Sequence, residues 1–476
     1  MTVITHSNFI NGEFSASQEF VEVSNPANHE VVSRAPESQR EEVDLAVSAA
    51  RAAQRDWAHL PAIERAGFLR QVSAKVRASA SELARLVSQE QGKVLSLAAL
   101  EVAFAADYLD YMAEWARRIE GEVITSDRRN ETILLLRKPL GVVAGILPWN
   151  FPFLMIVRKM APALVTGNTI VIKPSEETPN SCFAFAKLVA ETDLPRGVFN
   201  VVGGSASVGS QLSSHVGVDM VSFTGSVRAG QAIMAAAAPN LTKLNLELGG
   251  KAPTIVLDDA DIDLAVSAIR SSRIINTGQA CSCADRVYVQ RRVADEFTDK
   301  LGQAMKATKF GDPFAQSDLE MGPLINRSAL DRVDGLVRAA LEQGATAVTG
   351  GARADVERGF HYQPTVLANC NPEMRVMREE IFGPVLPVQV VENVEQAIAL
   401  ANDSEYGLTS SIYTRSLSSA MLASRELSFG ETYVNREHFE ALQGYHAGVR
   451  KSGIGGADGK HGLYDYTSTH VVYMQA

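Results

Sequence analysis

From about Glu41 to Arg118, apolar positions such as Leu69, Val72 and Val76 recur at helical spacing in a stretch rich in Ala, Glu, Arg and Leu, which predicts a block of helices. The period then changes. GEVITSDRRNETILLLRKPL alternates β-forming and polar residues around an Arg-Arg-Asn turn and predicts a hairpin. From Gly141 onward the short β-rich runs VVAGIL, TIVIK, VFNVV, MVSF and LNLEL alternate with helical segments. This is the βαβ pattern of a parallel sheet, and such sheets bind ligands at their carboxyl edge. The second half repeats the alternation with APTIVL, RVYVQ, a helix from Ala294 to Thr308, PVLPVQVV, LTSSIYT and ETYVN, so a second α/β unit with its own core is expected. MTVITHSNFING reads as a first strand and turn, and YTSTHVVYMQA as an apolar terminal strand that pairs with something else in the assembly. Leu140 to Val157 is almost wholly apolar, but Pro148, Asn150 and Pro152 interrupt it, so a buried strand followed by a helix fits better than a membrane span. The fold class is α/β, with two parallel-sheet domains.

The chain has 476 residues, 46% hydrophobic and 21% charged, a balance that suits two or three globular domains and excludes disordered or fibrous classes. A formal charge of −10 argues against nucleic acid or an anionic membrane as partner and leaves small molecules. Cys182, Cys281, Cys283 and Cys370 form no disulfide framework, and the start lacks the basic and apolar regions of a signal peptide, so a cytoplasmic location is expected.

Three short segments carry candidate chemistry. In INTGQACSC, Asn276 and Gly278 allow a sharp turn that presents the Cys281 thiol beside exposed amide N–H groups; taken alone, a buried and inert cysteine is the better reading. Cys281 and Cys283 lack the accompanying Cys or His cluster that a zinc site needs, so no metal is expected. In LELGGKAP, Glu247 ends a β-rich run before Gly249 and Gly250, either an acid at a carboxyl edge or a surface glutamate. In PWNFP, Asn150 lies between two prolines at a strand-to-helix switch, where its direction is fixed or where it serves as a helix N-cap.

PWNFP, GNTIVIKPSE, FTGS, LELGGKAP, NTGQAC and EEIFGPV stand in the order and spacing of the aldehyde dehydrogenase superfamily, which the chain resembles from about residue 10 to its end. The resemblance implies an NAD-binding domain at 1–120 and 141–249, a catalytic thiol domain at 250–455 and a small β oligomerisation element at 121–140 and 456–476, in a homotetramer or homodimer. It further implies that Cys281 attacks the aldehyde and that the Asn150 amide and the Cys281 N–H stabilise the oxyanion. Glu247 then activates the water that releases the acid. There is no G-x-G-x-x-G; by resemblance the cofactor contacts are Trp149, Lys173, Glu176, Gly209, Phe223, Gly225, Ser226, Glu380 and Phe382. Glu176 at the adenosine ribose would repel a 2′-phosphate, which favours NAD.

Phe151, Met155 and Arg158 fall on one helix face, which in this superfamily lines the substrate tunnel. ADYLDYMAEWARR, ILPWNFPFLMIVRKMAPAL and FGETYVNREHFEALQGYHAGVRKSGIGGADGKHGL resemble the branch that oxidises lactaldehyde and glycolaldehyde. By that resemblance Tyr108, Arg158, Glu440 and His446 are pocket groups, with Ser282 where an asparagine is usual, and with Lys460 where many relatives carry a glutamate. Succinate semialdehyde, whose carboxylate Arg158 could pair, is the alternative substrate, and a broad-range aldehyde dehydrogenase the other. Glu247 speaks against transfer to coenzyme A. A thiol hydrolase would want a histidine beside the thiol, and none stands near INTGQACSC in the chain.

Overall fold

Strands Lys243–Glu247, Met220–Thr224, Val142–Ile146, Thr169–Lys173 and Phe199–Val201 lie side by side in that order, all parallel. They are the runs expected from the sequence. Val142–Ile146 and Thr169–Lys173 are buried throughout, which is why they read as continuous apolar runs rather than alternating ones. The sheet is extended antiparallel at both edges, by Gly453–Ile454 beside Glu247 and by the hairpin Asn8–Ile10 and Glu13–Ser15 beside Phe199–Val201. The structure is a computed structural model and describes residues 3–476; Met1 and Thr2 of the expected first strand lie outside the described residues.

The helical block comprises Arg40–His59, Ala62–Ala78, Ala80–Gln91 and Leu95–Glu114. Val43, Ala46, Val47 and Ala50 of the first helix pack on one face of the sheet with Val142, Ala144 and Val171. The other face is covered by Pro152–Val165, whose residues are all buried among Leu69, Val102, Leu109 and Ile170. Among the described residues no helix is long and apolar enough to cross a membrane.

A second sheet has the order Thr346–Thr349, Thr365–Ala368, Val385–Val391, Arg286–Gln290, Pro253–Val256, Thr409–Tyr413, Glu431–Val434, with only the first pair antiparallel. Thr346–Thr349 and Thr365–Ala368 were not expected: each is four residues long, and the first is mostly exposed and carries no apolar pattern. The helix expected from Ala294 to Thr308 ends at Lys306. In the third sheet the hairpin Glu122–Thr125 and Glu131–Pro139 is joined by Thr467–Gln475, paired from Thr467 with Pro139 to Gln475 with Glu131. The terminal strand thus pairs with its own chain's hairpin rather than elsewhere. Ile146, Lys173, Thr224 and Glu247 all stand at the carboxyl ends of neighbouring parallel strands, and the candidate site is built there.

Candidate active site

After the helix Ile262–Ile274 the backbone turns through three consecutive left-handed residues, Asn276 at φ 46°, Thr277 at φ 61° and Gly278 at φ 73°. Asn and Gly adopt this region cheaply, whereas Thr277 is held there with its hydroxyl donating to the Gly322 carbonyl at 3.0 Å. A Cβ at Gly278 would stand 2.3 Å from the Gly383 carbonyl oxygen, so only glycine fits. The turn delivers Cys281 to a cavity. Of the four free cysteines, Cys182, Cys283 and Cys370 are buried and Cys281 is partly exposed. Burial pushes the Cys283 and Cys370 thiols up to about 11, and the Cys283 sulfur donates to the Ala280 carbonyl at 3.0 Å. Arg273, wholly buried, pins the loop from below through the carbonyls of Gly383 and Ala284 at 2.7 Å each and the Cys283 sulfur at 3.3 Å.

Asn150 is placed by groups that its own segment does not contain. Its Nδ2 donates to the Gln279 carbonyl at 2.9 Å, two residues before the thiol, which orients the amide and leaves its second N–H unspent by that bond. Asn150 is not the helix cap: Phe151 occupies that position, makes no capping bond of its own, and is followed by Pro152. The free N–H groups of Phe153 and Leu154 instead donate to Glu101 Oε1 at 2.8 and 3.1 Å. Glu101 Oε2 accepts from Lys93 Nζ at 2.6 Å, and Lys93 also donates to the Asn150 carbonyl at 2.7 Å while lying 3.9 Å above the centre of the Phe151 ring. This buried cation and anion lock the loop that carries Asn150.

Glu247 ends its strand as expected, and Gly250 follows so closely beneath the thiol loop that a Cβ there would meet the Cys281 carbonyl oxygen at 2.7 Å. The Glu247 carboxylate is buried; its Oε2 accepts from Lys159 Nζ at 2.8 Å and from the Thr224 hydroxyl at 2.5 Å, while Oε1 has no hydrogen-bond partner among the described residues. Burial pushes this carboxyl up, but Lys159, then Arg158 and His446, outweigh it and hold it at about 2. His446 lines the same cavity as Cys281, and its Nδ1 lies 2.7 Å from Glu431 Oε1. Burial works against a charge on the imidazole; the nearby Cys281 thiol and the Glu431 carboxylate outweigh it and push the ring's pKa well above its ordinary value. A histidine does therefore stand beside the thiol, delivered by a distant strand pair, His446–Ala447 against Gly456–Ala457.

Two cavities meet at Asn150, Thr224, Glu247 and Cys281. One, of about 400 Å³, is lined by Trp149, Gly225, Ser226, Arg228, Arg332, Glu380 and Phe382 among others. The helix Val227–Ala237 opens onto it with the Ser226 side chain accepting from the Ala229 N–H, and Arg228 and Arg332 add positive charge, an arrangement suited to a pyrophosphate. Glu380 Oε1 accepts from the Gly250 N–H at 2.9 Å, and burial pushes its carboxyl up to about 7. Lys173 and Glu176, paired at 3.1 Å, stand one strand away from the Trp149 loop, and Glu176 is exposed enough to meet a ribose. The donor set fits a dinucleotide. Gly209 and Phe223 do not line this cavity: Gly209 is inside the helix Ala206–Ser214, and Phe223 is buried in its strand beneath Gly225.

The other cavity, of about 320 Å³, has Leu97, Leu100, Phe104, Leu154 and Phe439 on its walls, together with the expected Phe151, Met155, Arg158, Ser282, Glu440 and His446. Tyr108 is absent from this lining; it is 1% exposed, packed in the core beside Arg158, with its hydroxyl unbonded among the described residues. Arg158 is buried with its charge compensated: Nε donates to Asp458 Oδ1 at 3.1 Å, Nη2 pairs with Asp458 Oδ2, and Nη1 reaches Glu440 Oε1 at 3.4 Å. Sequence reading missed Lys93, Glu101, Lys159, Thr224, Glu431 and Asp458. Each acts across the chain, so no local spacing marks it.

Residues 14–472 match the Aldehyde dehydrogenase family. Lactaldehyde dehydrogenase of Escherichia coli (strain K12) is 58% identical over 476 residues, 99% of each chain. The crystal structure of lactaldehyde dehydrogenase from Escherichia coli superposes with a TM-score of 0.99 at 57% identity, covering 100% of both chains. Betaine aldehyde dehydrogenase from Staphylococcus aureus in complex with NAD+ superposes with a TM-score of 0.96 at 35% identity, over 99% of this chain and 95% of that one.

Proposed function

The chain belongs to the aldehyde dehydrogenase family and is an aldehyde-oxidising enzyme, and we propose that it converts small neutral hydroxyaldehydes, lactaldehyde and glycolaldehyde, to their acids with NAD. The observation that carries this reading is the meeting of two cavities at a thiol, an amide and a carboxylate, one cavity suited to a dinucleotide and the other to a small polar aldehyde.

Cys281 loses its proton to solvent, and Sγ then bonds to the carbonyl carbon as the C=O π pair moves onto the oxygen. The oxyanion of the hemithioacetal is met by the free N–H of the Asn150 amide, which Gln279 and Lys93 hold in place, and by the Cys281 N–H. NAD, when bound, accepts the hydride. Gly225, Ser226 and Arg228 would hold its pyrophosphate, Lys173 and Glu176 its adenosine ribose, and Trp149, Glu380 and Phe382 the nicotinamide end. The carboxylate of Glu176 supports NAD over its 2′-phosphorylated form. The resulting thioester on Cys281 is hydrolysed by water that Glu247 deprotonates, after the carboxylate loosens from Lys159, since a base near pKa 2 accepts protons poorly.

The small cavity and its polar end support the hydroxyaldehyde reading. Glu440 can accept from a substrate hydroxyl, and His446 and Arg158 can donate to its oxygen. Similarity to the E. coli lactaldehyde dehydrogenase points the same way. Val123, Leu136, Val471, Tyr473 and Met474 on the three-stranded sheet are exposed, which supports packing of that sheet against a second copy in a homodimer or homotetramer. Four free thiols support a cytoplasmic setting. Steady-state kcat/KM for glycolaldehyde, lactaldehyde, succinate semialdehyde and betaine aldehyde with NAD and NADP tests the proposal. We expect the first two with NAD to lead; a large preference for succinate semialdehyde overturns it.

A further inference from the structure

We propose that Asp458 is a specificity-determining residue: by neutralising Arg158 from behind the pocket wall, it keeps negatively charged aldehydes out of a cavity whose sequence alone would admit them. The inference rests on the hydroxyaldehyde reading of the site and names the residue that enforces it.

Arg158 presents five N–H donors in a fixed fork. Two contacts go to the carboxylate of Asp458 and one to Glu440. Asp458 is 2% exposed and does not line the cavity, so it acts through the guanidinium and not on the substrate. The charge balance at this end of the pocket is set by neighbours on every side. Arg158 and the imidazole of His446 are the cations that face it, with Lys159 engaged by Glu247; Asp458, Glu440, Glu431 and Glu247 are the anions. An incoming carboxylate would find the fork's paired edge taken, would have to displace Glu440, and would meet the remaining acids at short range. A hydroxyl meets no such penalty, because the fork retains unspent N–H groups and Glu440 can accept its proton. Desolvating an anion where the nearest cation is already satisfied is costly, which turns one buried aspartate into a filter on charge.

The backbone supports a selected placement. Asp458 has φ 70° and ψ 164°, a region that residues with a side chain seldom adopt, and it sits between Ala457 and Gly459 at the start of the short helix Gly459–Asp465. The Arg158 contacts span most of the chain, so the strained residue and its partner meet only in the folded protein.

The test is kcat/KM for succinate semialdehyde relative to glycolaldehyde, with NAD, in three variants of the full chain. Asp458→Asn is expected to raise that ratio at least tenfold, mainly through a lower KM for the anionic aldehyde, with kcat for glycolaldehyde changed only a few-fold. Glu440→Gln, at the partly exposed wall, removes the weaker compensating charge and should move the ratio the same way by a smaller factor. It also decides the matter if Asp458→Asn does not fold. Arg158→Gln combined with Asp458→Asn should lose the gain, since no cation is then uncovered. An unchanged ratio in the folded single variants overturns the proposal. A wild-type enzyme that already favours succinate semialdehyde overturns the hydroxyaldehyde reading beneath it, a different result from a silent Asp458.

Discussion

Replacing Lys93 by methionine keeps the aliphatic stem and removes the charge that joins Glu101 to the Asn150 loop. Lys93 and Glu101 are both wholly buried and 2.6 Å apart, which corresponds to roughly 6 kcal/mol of attraction at an effective dielectric near 20, set against several kcal/mol for desolvating each ion. The net value of the pair is therefore small, but removing one partner strands the other. Lys93→Met leaves the Glu101 carboxylate with only the N–H groups of Phe153 and Leu154, and the Asn150 carbonyl with only Asn276 Nδ2 at 2.9 Å. A loss of about 3–5 kcal/mol is expected, or roughly 6–10 °C in Tm at about 2 °C per kcal/mol. Glu101→Gln should cost a similar amount, and the double variant less than the two singles together, because it buries no unpaired charge. Thermal unfolding of all four proteins gives the coupling. The catalytic consequence is separate: a shift of the Asn150 loop by ~1 Å lowers the rate of the NADH burst by ten- to a hundredfold, with NAD affinity unchanged. Strictly additive losses in the double variant, or a wild-type burst rate in Lys93→Met, would refute the reasoning.

Cys281→Ala should abolish NADH formation while leaving NAD binding intact, as measured by turnover and by calorimetry with NAD; retained turnover would remove the thiol from the mechanism. Asn150→Ala should lower the single-turnover rate by ~10²–10³-fold, the usual worth of one oxyanion donor, with little change in cofactor affinity. Because burial raises the Glu380 carboxyl to about 7, it is protonated below that pH and ionised above it, so NAD affinity should weaken as pH falls from 8 to 6. Glu380→Gln should flatten that dependence in a fluorescence titration. Lys159→Met removes the main group holding Glu247 at about 2, so burial then drives the carboxyl upward, and activity should be lost at a higher pH on the acid side than in wild type. An unshifted acid limb would show that Glu247 is not the deacylating base.

The order of strands and helices was legible along the chain because both faces of the sheets are covered: strands such as Val142–Ile146 are apolar throughout, and turn residues mark their ends. Cys281, Asn150 and Glu247 were legible for a related reason. Each stands at the end of a strand or in a turn whose glycines, prolines or asparagines are local and visible. The strands Thr346–Thr349 and Thr365–Ala368 escaped because they are short, and the first has no buried face.

What only the tertiary structure decided is the charge state and direction of those groups. Lys93 reaches Asn150 across 57 residues, Lys159 reaches Glu247 across 88, and Arg158 reaches Asp458 across 300. No local spacing marked Lys93 or Lys159, and His446 is far along the chain from the thiol whose cavity it lines. Periodicity reports which side of a segment meets the core, because that is set by the geometry of one strand or helix. It is silent on which buried cation meets which anion, because that is set by where separate segments are brought by packing, and at this site those meetings determine which group is charged and which aldehyde fits.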